Sequence, residues 1–363
     1  MKFDNVALVS IGHLVPPLEI TSDWIESELA DVYARLKLPA GRLEGMSGIR
    51  SRRMWGPSAR LSDCSAFSCR LALEAAGISA REVGCLIHAS VCREYLEPAT
   101  ACRVHHLVGI PQDSWVYDVS NACLGVMNGA AQISMMIESS QIRAGLVVGT
   151  EDARGLMRAT LDQLKNDEHL TRQTIKPAFA SLTIGSGSCA WLLANRDWLR
   201  EKGVPHGSAI RAAVAVARTE FHDLCQSDTD QAGASMQPIM NTHSEQLLEA
   251  GLETGREAFE SLLKESGWSR DSFAATICHQ VGAAHRRRML DRLGLKSETD
   301  FATFEKLGNT GSVALPTALA RAIEDGFLPQ RGHCGLLGIG SGVNSLMIGL
   351  ELGPIAVRST EAF

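Results

Sequence analysis

The chain has 363 residues, 45% of them hydrophobic and 21% charged, with a formal net charge of -6. This is ordinary globular composition, long enough to bury a sizeable core and, at about 150 residues per domain, to hold two or three units. No basic run dominates, which argues against a nucleic-acid partner, and none of the ten cysteines forms a C-x-x-C pair, which argues against a zinc site.

In chain order, the N-terminal stretch carries Asp4 ahead of any long apolar run, so it does not read as a secretion signal. With free thiols throughout, the expected compartment is the cytoplasm. Cys85 and Cys278 sit inside apolar runs and read as buried small hydrophobes. An apolar strand-like run, CLIHAS (Cys85 to Ser90), leads into SVCREYLEPATA (Ser90 to Ala101), where Glu97 before Pro98 reads on its own as a loop-surface acid. Next, a strand-like VYDV runs into Ser120-Asn121-Ala122-Cys123 and then a helix of small apolar residues. Cys123 therefore stands at or just before a helix N-terminus, where unpaired N–H groups and the positive end of the dipole favour a thiolate. Gly125 and Gly129 permit close packing there, and a buried structural cysteine would fit the same residues.

GLVVGTED (Gly145 to Asp152) reads as another buried strand. Asp162 to Lys176 and Glu220 to His243 are polar and poorly patterned, as surface loops or as caps on a substrate channel. Ser244 to Ser266 has helical spacing, with Leu247, Leu248, Leu252, Phe259 and Leu262 on or near one face. ATICHQ (Ala275 to Gln280) puts His279 at the end of a buried strand, where a lone histidine is more often a satisfied core residue. His285 to Arg288 (HRRR) reads as a solvated basic helix face, with phosphate contact as the other reading. Asn309 lies in a glycine-flanked loop before a helix, a place where Asn is usually an N-cap. Gly335 to Leu350 is the longest uncharged stretch, but Gly340, Ser341, Gly342 and Asn344 break it into two strands around a turn rather than a membrane span. A strand follows GIGSG, so it is not a dinucleotide fingerprint.

Three features recur in order: CLIHAS with ATICHQ, offset by 193 positions at Cys85 and Cys278; GLVVGTED with GLLGIGSG, offset by 190; and SNACLGVMNGA with NTGSVALPTAL, offset by 189. The chain thus reads as two related halves, 1–200 carrying Cys123 and 201–363 carrying His279 and Asn309. Each half alternates buried strands with helices, which implies mixed α/β sheets covered on both faces. Equivalent edges of two such halves would bring Cys123, His279 and Asn309 together.

Taken jointly, DVSNACLG around Cys123, CHQ at His279, GNTGSVALP at Asn309, GIGSG near the C-terminus and GIRSRR (Gly48 to Arg53) resemble the 3-oxoacyl-acyl-carrier-protein synthase III family over nearly the whole chain. The resemblance implies an α/β thiolase fold with duplicated halves in a five-layered αβαβα sandwich, and a homodimer. It implies Cys123, His279 and Asn309 as catalytic residues, an oxyanion hole from the backbone N–H groups of Cys123 and Gly342, and no metal or redox cofactor. SVCREYLEPATA is similar, more narrowly, to the head-to-head acyl-CoA condensing enzymes of bacterial long-chain olefin biosynthesis. In that subgroup a glutamate from the dimer mate serves as base, and the matching residue is Glu97, 26 positions before Cys123. Two departures stand out: His279-Gln280-Val281-Gly282 replaces His-Gln-Ala-Asn, and Met46 stands where a basic residue often contacts coenzyme A.

The expected activity is an acyltransferase that joins two acyl thioesters by Claisen-type condensation through an acyl-cysteine, without decarboxylation, from fatty acyl-CoAs to a 3-oxoacyl product. The alternative is a decarboxylating synthase III that uses malonyl carrier protein in fatty-acid or secondary-metabolite biosynthesis. Acyl-CoA enters as substrate rather than cofactor, and acyl carrier protein or downstream lipid-pathway enzymes are the remaining candidate partners. A papain-like hydrolase shares the order Cys, His, Asn, but its cysteine lies near the N-terminus of a disulfide-bearing secreted domain.

Overall fold

The computed structural model describes residues 1–95, 97–205, 207–227 and 240–360. Its main sheet contains β1 (Val6–Leu14), β2 (Cys85–His88), β3 (Trp115–Asp118), β4 (Ala144–Glu151), β5 (Gly187–Asn195), β6 (Ser208–Ala217), β7 (Phe273–Cys278), β8 (His333–Gly340), β9 (Asn344–Glu351) and β10 (Ala356–Thr360). They are hydrogen-bonded in the order β7-β8-β9-β6-β1-β5-β4-β2-β3, with β10 beside β1. The principal helices are α1 (Leu61–Ala76), α2 (Thr100–Val108), α3 (Gly125–Glu138), α4 (Arg154–Asn166), α5 (Arg196–Lys202), α6 (Ser244–Ser266), α7 (Ala283–Leu293) and α8 (Ala314–Glu324).

Successive strand residues point to opposite faces, and here both faces are apolar. Along β5, Cys189, Trp191 and Leu193 enter one buried cluster while Ala190, Leu192 and Ala194 enter another. Along β9, Leu346, Ile348 and Leu350 join the first cluster and Met347 joins a third. The first cluster takes in Met127 and Ile133 of α3 and Leu315 and Leu319 of α8. Leu73 of α1 and Leu199 of α5 close the second, and Phe259 of α6 with Leu290 of α7 close the third. The two ends of the ten-stranded sheet, joined through the short β1–β6 pairing, lie on opposite sides of α3 and α8, with α1 and α5 outside one end and α6 and α7 outside the other, so helix and sheet alternate in the five layers of the thiolase arrangement.

One pairing plan occurs twice. β2 runs parallel to β4, β4 antiparallel to β5, and β5 antiparallel to β1. Likewise β7 runs parallel to β8, β8 antiparallel to β9, and β9 antiparallel to β6. The three recurring sequence features lie on corresponding elements: β2 and β7, β4 and β8, and two 3₁₀ turns, Ala122–Leu124 and Gly311–Val313, that lead into α3 and α8. Among the described residues no helix is long and apolar enough to cross a membrane.

Candidate active site

The segments that leave β2, β3, β4, β7 and β8 converge on one cavity of about 870 Å³. Cys123, His279 and Asn309 all line it, as do Gly340, Ser341 and Val343 on either side of Gly342. Much of the remaining wall is apolar, including Leu43, Leu156, Phe179, Ile184, Leu247 and Leu248. This size falls within the ordinary range for enclosed ligand sites, roughly 300–1,000 Å³.

The nucleophile turn is tightly specified. Ala122, the residue before Cys123, has φ 45°. A left-handed alanine costs about 1–2 kcal/mol and persists only where its surroundings hold it. One constraint is the close approach of α3 to the end of β2: a Cβ on Gly125 would lie 2.8 Å from the Ala89 carbonyl oxygen. Another is an amide chain in which Asn344 Nδ2 donates to Asn121 Oδ1 at 3.1 Å and Asn121 Nδ2 donates to Asn128 Oδ1 at 2.6 Å. It ties the turn containing Gly342 to the turn containing Cys123.

His279 is 5% exposed, and its Nδ1 has no hydrogen-bond partner among the described residues. Burial, aided by nearby His285, pulls the imidazole down to about 3, so it is neutral at physiological pH. The next residue anchors it: Gln280 donates to the Cys278 carbonyl at 2.6 Å and accepts from Thr303 N–H at 2.7 Å. Asn309 is held by its N–H to the Thr183 carbonyl at 3.0 Å and by Gly185 N–H to its carbonyl at 2.9 Å. Its Oδ1 accepts from Gly311 N–H at 3.1 Å, a local cap on the 3₁₀ turn, which leaves Nδ2 as the donor of that amide.

The thiolate expected at Cys123 meets an opposing force. Burial first, then the carboxylate of Glu151 and the thiol of Cys225, push Cys123 up to about 12, against a smaller lowering by backbone N–H. The thiol is therefore the resting form. We expect alkylation of Cys123 to accelerate about tenfold per pH unit from neutrality to about pH 10, because below the pKa the thiolate fraction grows in that proportion. A rate that levels off below about pH 9 would show that the helix N-terminus outweighs burial.

Glu97 does not line this cavity; it is exposed, in the segment between β2 and α2. Met46 and Val281, at the two departures from the resemblance, both line the cavity and are 52% and 37% exposed. A Cβ on Gly282 would lie 2.7 Å from the Ser47 carbonyl oxygen, so a larger residue there would displace the segment that carries Met46.

Four cavity residues went unrecognised in the sequence: Cys92, Glu151, Cys225 and His285. His285 is not part of a solvated basic face. It turns into the cavity wall from the first turn of α7, and burial pulls it down to about 4. Arg286 pairs with the buried carboxylate of Asp300 at 2.6 Å, and Arg288 pairs with Glu249. The Glu220–His243 segment contributes a two-stranded ribbon, Cys225–Ser227 with Met240–Thr242, whose Cys225, Ser227, Met240 and Thr242 line the cavity; residues 228–239 lie outside those described.

Residues 263–350 match the family described as 3-oxoacyl-acyl-carrier-protein (ACP) synthase III C terminal. The acyl-CoA:acyl-CoA alkyltransferase of Shewanella oneidensis is 35% identical over 97% of this chain and 100% of its own length. Xanthomonas campestris OleA, solved with bound lauric acid and lauroyl-CoA, is 29% identical with a TM-score of 0.88 over 96% of this chain and 99% of that one. The same protein has been solved with a cysteine, a histidine or a glutamate substituted. A 3-oxoacyl-(acyl carrier protein) synthase III of Xanthomonas oryzae is 30% identical with a TM-score of 0.89 over 97% of this chain and 100% of that one. Full-length similarity of this kind, on a chain that brings Cys123, His279 and Asn309 to one cavity, places the protein in the acyl-CoA:acyl-CoA alkyltransferase branch of the 3-oxoacyl-acyl-carrier-protein synthase III family.

Proposed function

We infer that the chain condenses two fatty acyl-CoA molecules head to head, without decarboxylation, as a cytoplasmic homodimer. The observation that carries this reading is the largely apolar cavity shared by Cys123, His279 and Asn309, with Glu97 of the same chain outside it. The Cys123 sulfur attacks the first thioester carbonyl, and coenzyme A departs as the free thiol. The backbone N–H groups of Cys123 and Gly342 hold the tetrahedral oxyanion, and one such donor is worth about 3 kcal/mol. The partner subunit's Glu97 then removes an α-proton from the second acyl-CoA, and His279 and Asn309 hydrogen-bond the resulting enolate oxygen. The enolate carbon attacks the acyl-cysteine, the C–C bond forms as the C–S bond breaks, and Cys123 is reprotonated. The product is a 3-oxoacyl-CoA. Acyl-CoA is the substrate, and no resident cofactor takes part in these steps. The two halves, 1–200 and 201–363, are taken as the units of a duplication that supply the nucleophile and the enolate donors respectively.

Mass spectrometry of the products tests this reading. Acyl-CoA alone should give the branched 3-oxoacyl product with no CO₂. A strict requirement for a malonyl thioester, with CO₂ released, would make the chain a decarboxylating synthase.

The roles of His279 and Asn309 separate kinetically. Each alanine variant should slow condensation about 100-fold or more while acylation of Cys123 changes little. Rapid-quench measurement of both steps checks this, and equal losses in both would indicate a general binding or folding defect.

A further inference from the structure

The cavity holds a carboxylate that the mechanism above does not use. Glu151, at the end of β4, is 4% exposed. Its Oε1 accepts from Val91 N–H at 3.0 Å and from Ser312 N–H at 3.2 Å and Oγ–H at 2.5 Å, and its Oε2 accepts from Cys92 N–H at 3.1 Å. Val91 and Cys92 open the loop that carries Glu97; Ser312 lies three residues after Asn309 in the turn that leads to α8. The carboxylate thus joins two loops from opposite halves of the chain. The loop is also tied on either side of Glu97. Glu94 accepts from Ser62 N–H at 2.9 Å, and Asp118 accepts from Thr100 and Ala101 N–H at 2.9 and 2.8 Å just past Pro98.

We propose that Glu151 is a positioning residue that locks the loop carrying Glu97 to the loop carrying Asn309, so that a protomer can offer its base to its partner only while its own cavity wall is intact. All four donors point at one carboxylate, and no neutral side chain of the same shape satisfies them. In Glu151→Gln, one amide N–H group must face another N–H group inside the wall, and an unmet buried donor is costly. The inference rests on the reading that Glu97 serves the partner's site.

The test uses mixed dimers. One protomer carries Cys123→Ala and supplies only Glu97; the other carries Glu97→Ala and supplies Cys123, His279 and Asn309, so each pair has one complete site. Adding Glu151→Gln to the Glu97 donor should lower condensation about 100-fold, the scale of a displacement of about 1 Å at a reacting group. Acylation of Cys123 in the other protomer should be unaltered. Ser312→Ala in the Glu97 donor loosens the far end of the same clasp and should lower condensation about tenfold; it carries the test if Glu151→Gln does not fold. A second readout is independent of loop position. Cys123 is influenced by Glu151 and Cys225, so Glu151→Gln in an otherwise unsubstituted protein should move its alkylation profile toward lower pH. An active mixed dimer that is indifferent to both substitutions in the Glu97 donor would overturn the inference alone. An inactive parent mixed dimer would overturn service in trans by Glu97, and the inference with it.

Discussion

Replacing Cys123 by Ala is expected to leave no acyl-enzyme and to lower condensation by about 10⁴-fold or more, the scale seen when a covalent nucleophile is removed. Intact-mass measurement after exposure to acyl-CoA, followed by peptide mapping, checks both the adduct and its position. The competition is well defined. Cys64, Cys69, Cys85, Cys189, Cys278 and Cys334 are buried, and Cys102 is exposed away from the cavity. Only Cys92 and Cys225 share the cavity wall with Cys123 among the described residues. Cys92 is already engaged, its sulfur donating to the Asp152 carbonyl and accepting from Asp152 N–H, and burial with Glu151 pushes its thiol well up. Among these cysteines, Cys123 alone follows a left-handed residue at the start of a helix. An adduct mapped to Cys92 or Cys225 would overturn the assignment.

Glu97→Ala should abolish α-proton exchange from the second acyl-CoA while Cys123 still acylates at its normal rate. The two steps separate because transfer of the first acyl group to Cys123 needs no α-proton removed, whereas the enolate of the second acyl-CoA cannot form without a base. Glu97→Asp should recover little. It withdraws the carboxylate by about one C–C bond, and catalytic geometry tolerates little displacement. Exchange of label from α-deuterated acyl-CoA into water reads the step directly. A decarboxylating enzyme would behave otherwise, with Glu97→Ala nearly silent and malonyl thioester required.

The parts of the site legible in the sequence are those set by local pattern. Cys123, His279 and Asn309 each follow or precede an element whose periodicity is readable within about ten residues, and the recurrence of that pattern paired the halves. Glu151 was not legible. In GLVVGTED it stands beside Asp152, and nothing local distinguishes an acid that accepts from two distant loops from one that faces solvent. His285 was hidden for a related reason. The three arginines after it make the run read as basic, yet the position of His285 on α7 turns it inward while Arg286 and Arg288 find carboxylate partners. The polar pattern of 162–176 fits a surface loop and a channel cap alike. Its first residues continue α4, and Phe179, Ala180 and Thr183 just beyond it line the cavity.

The placement of β1 has a kinetic consequence. All nine of its residues are buried, and its described strand partners lie at positions 188–195, 208–209 and 356–360. Among the described residues, no strand partner of β1 lies nearer in sequence than position 188. Pairings this distant in sequence demand loop closure before any reward and slow folding accordingly. Until they form, VALVSIGHL is an unpaired apolar strand of the type that self-associates, so refolding yield should fall steeply as protein concentration rises.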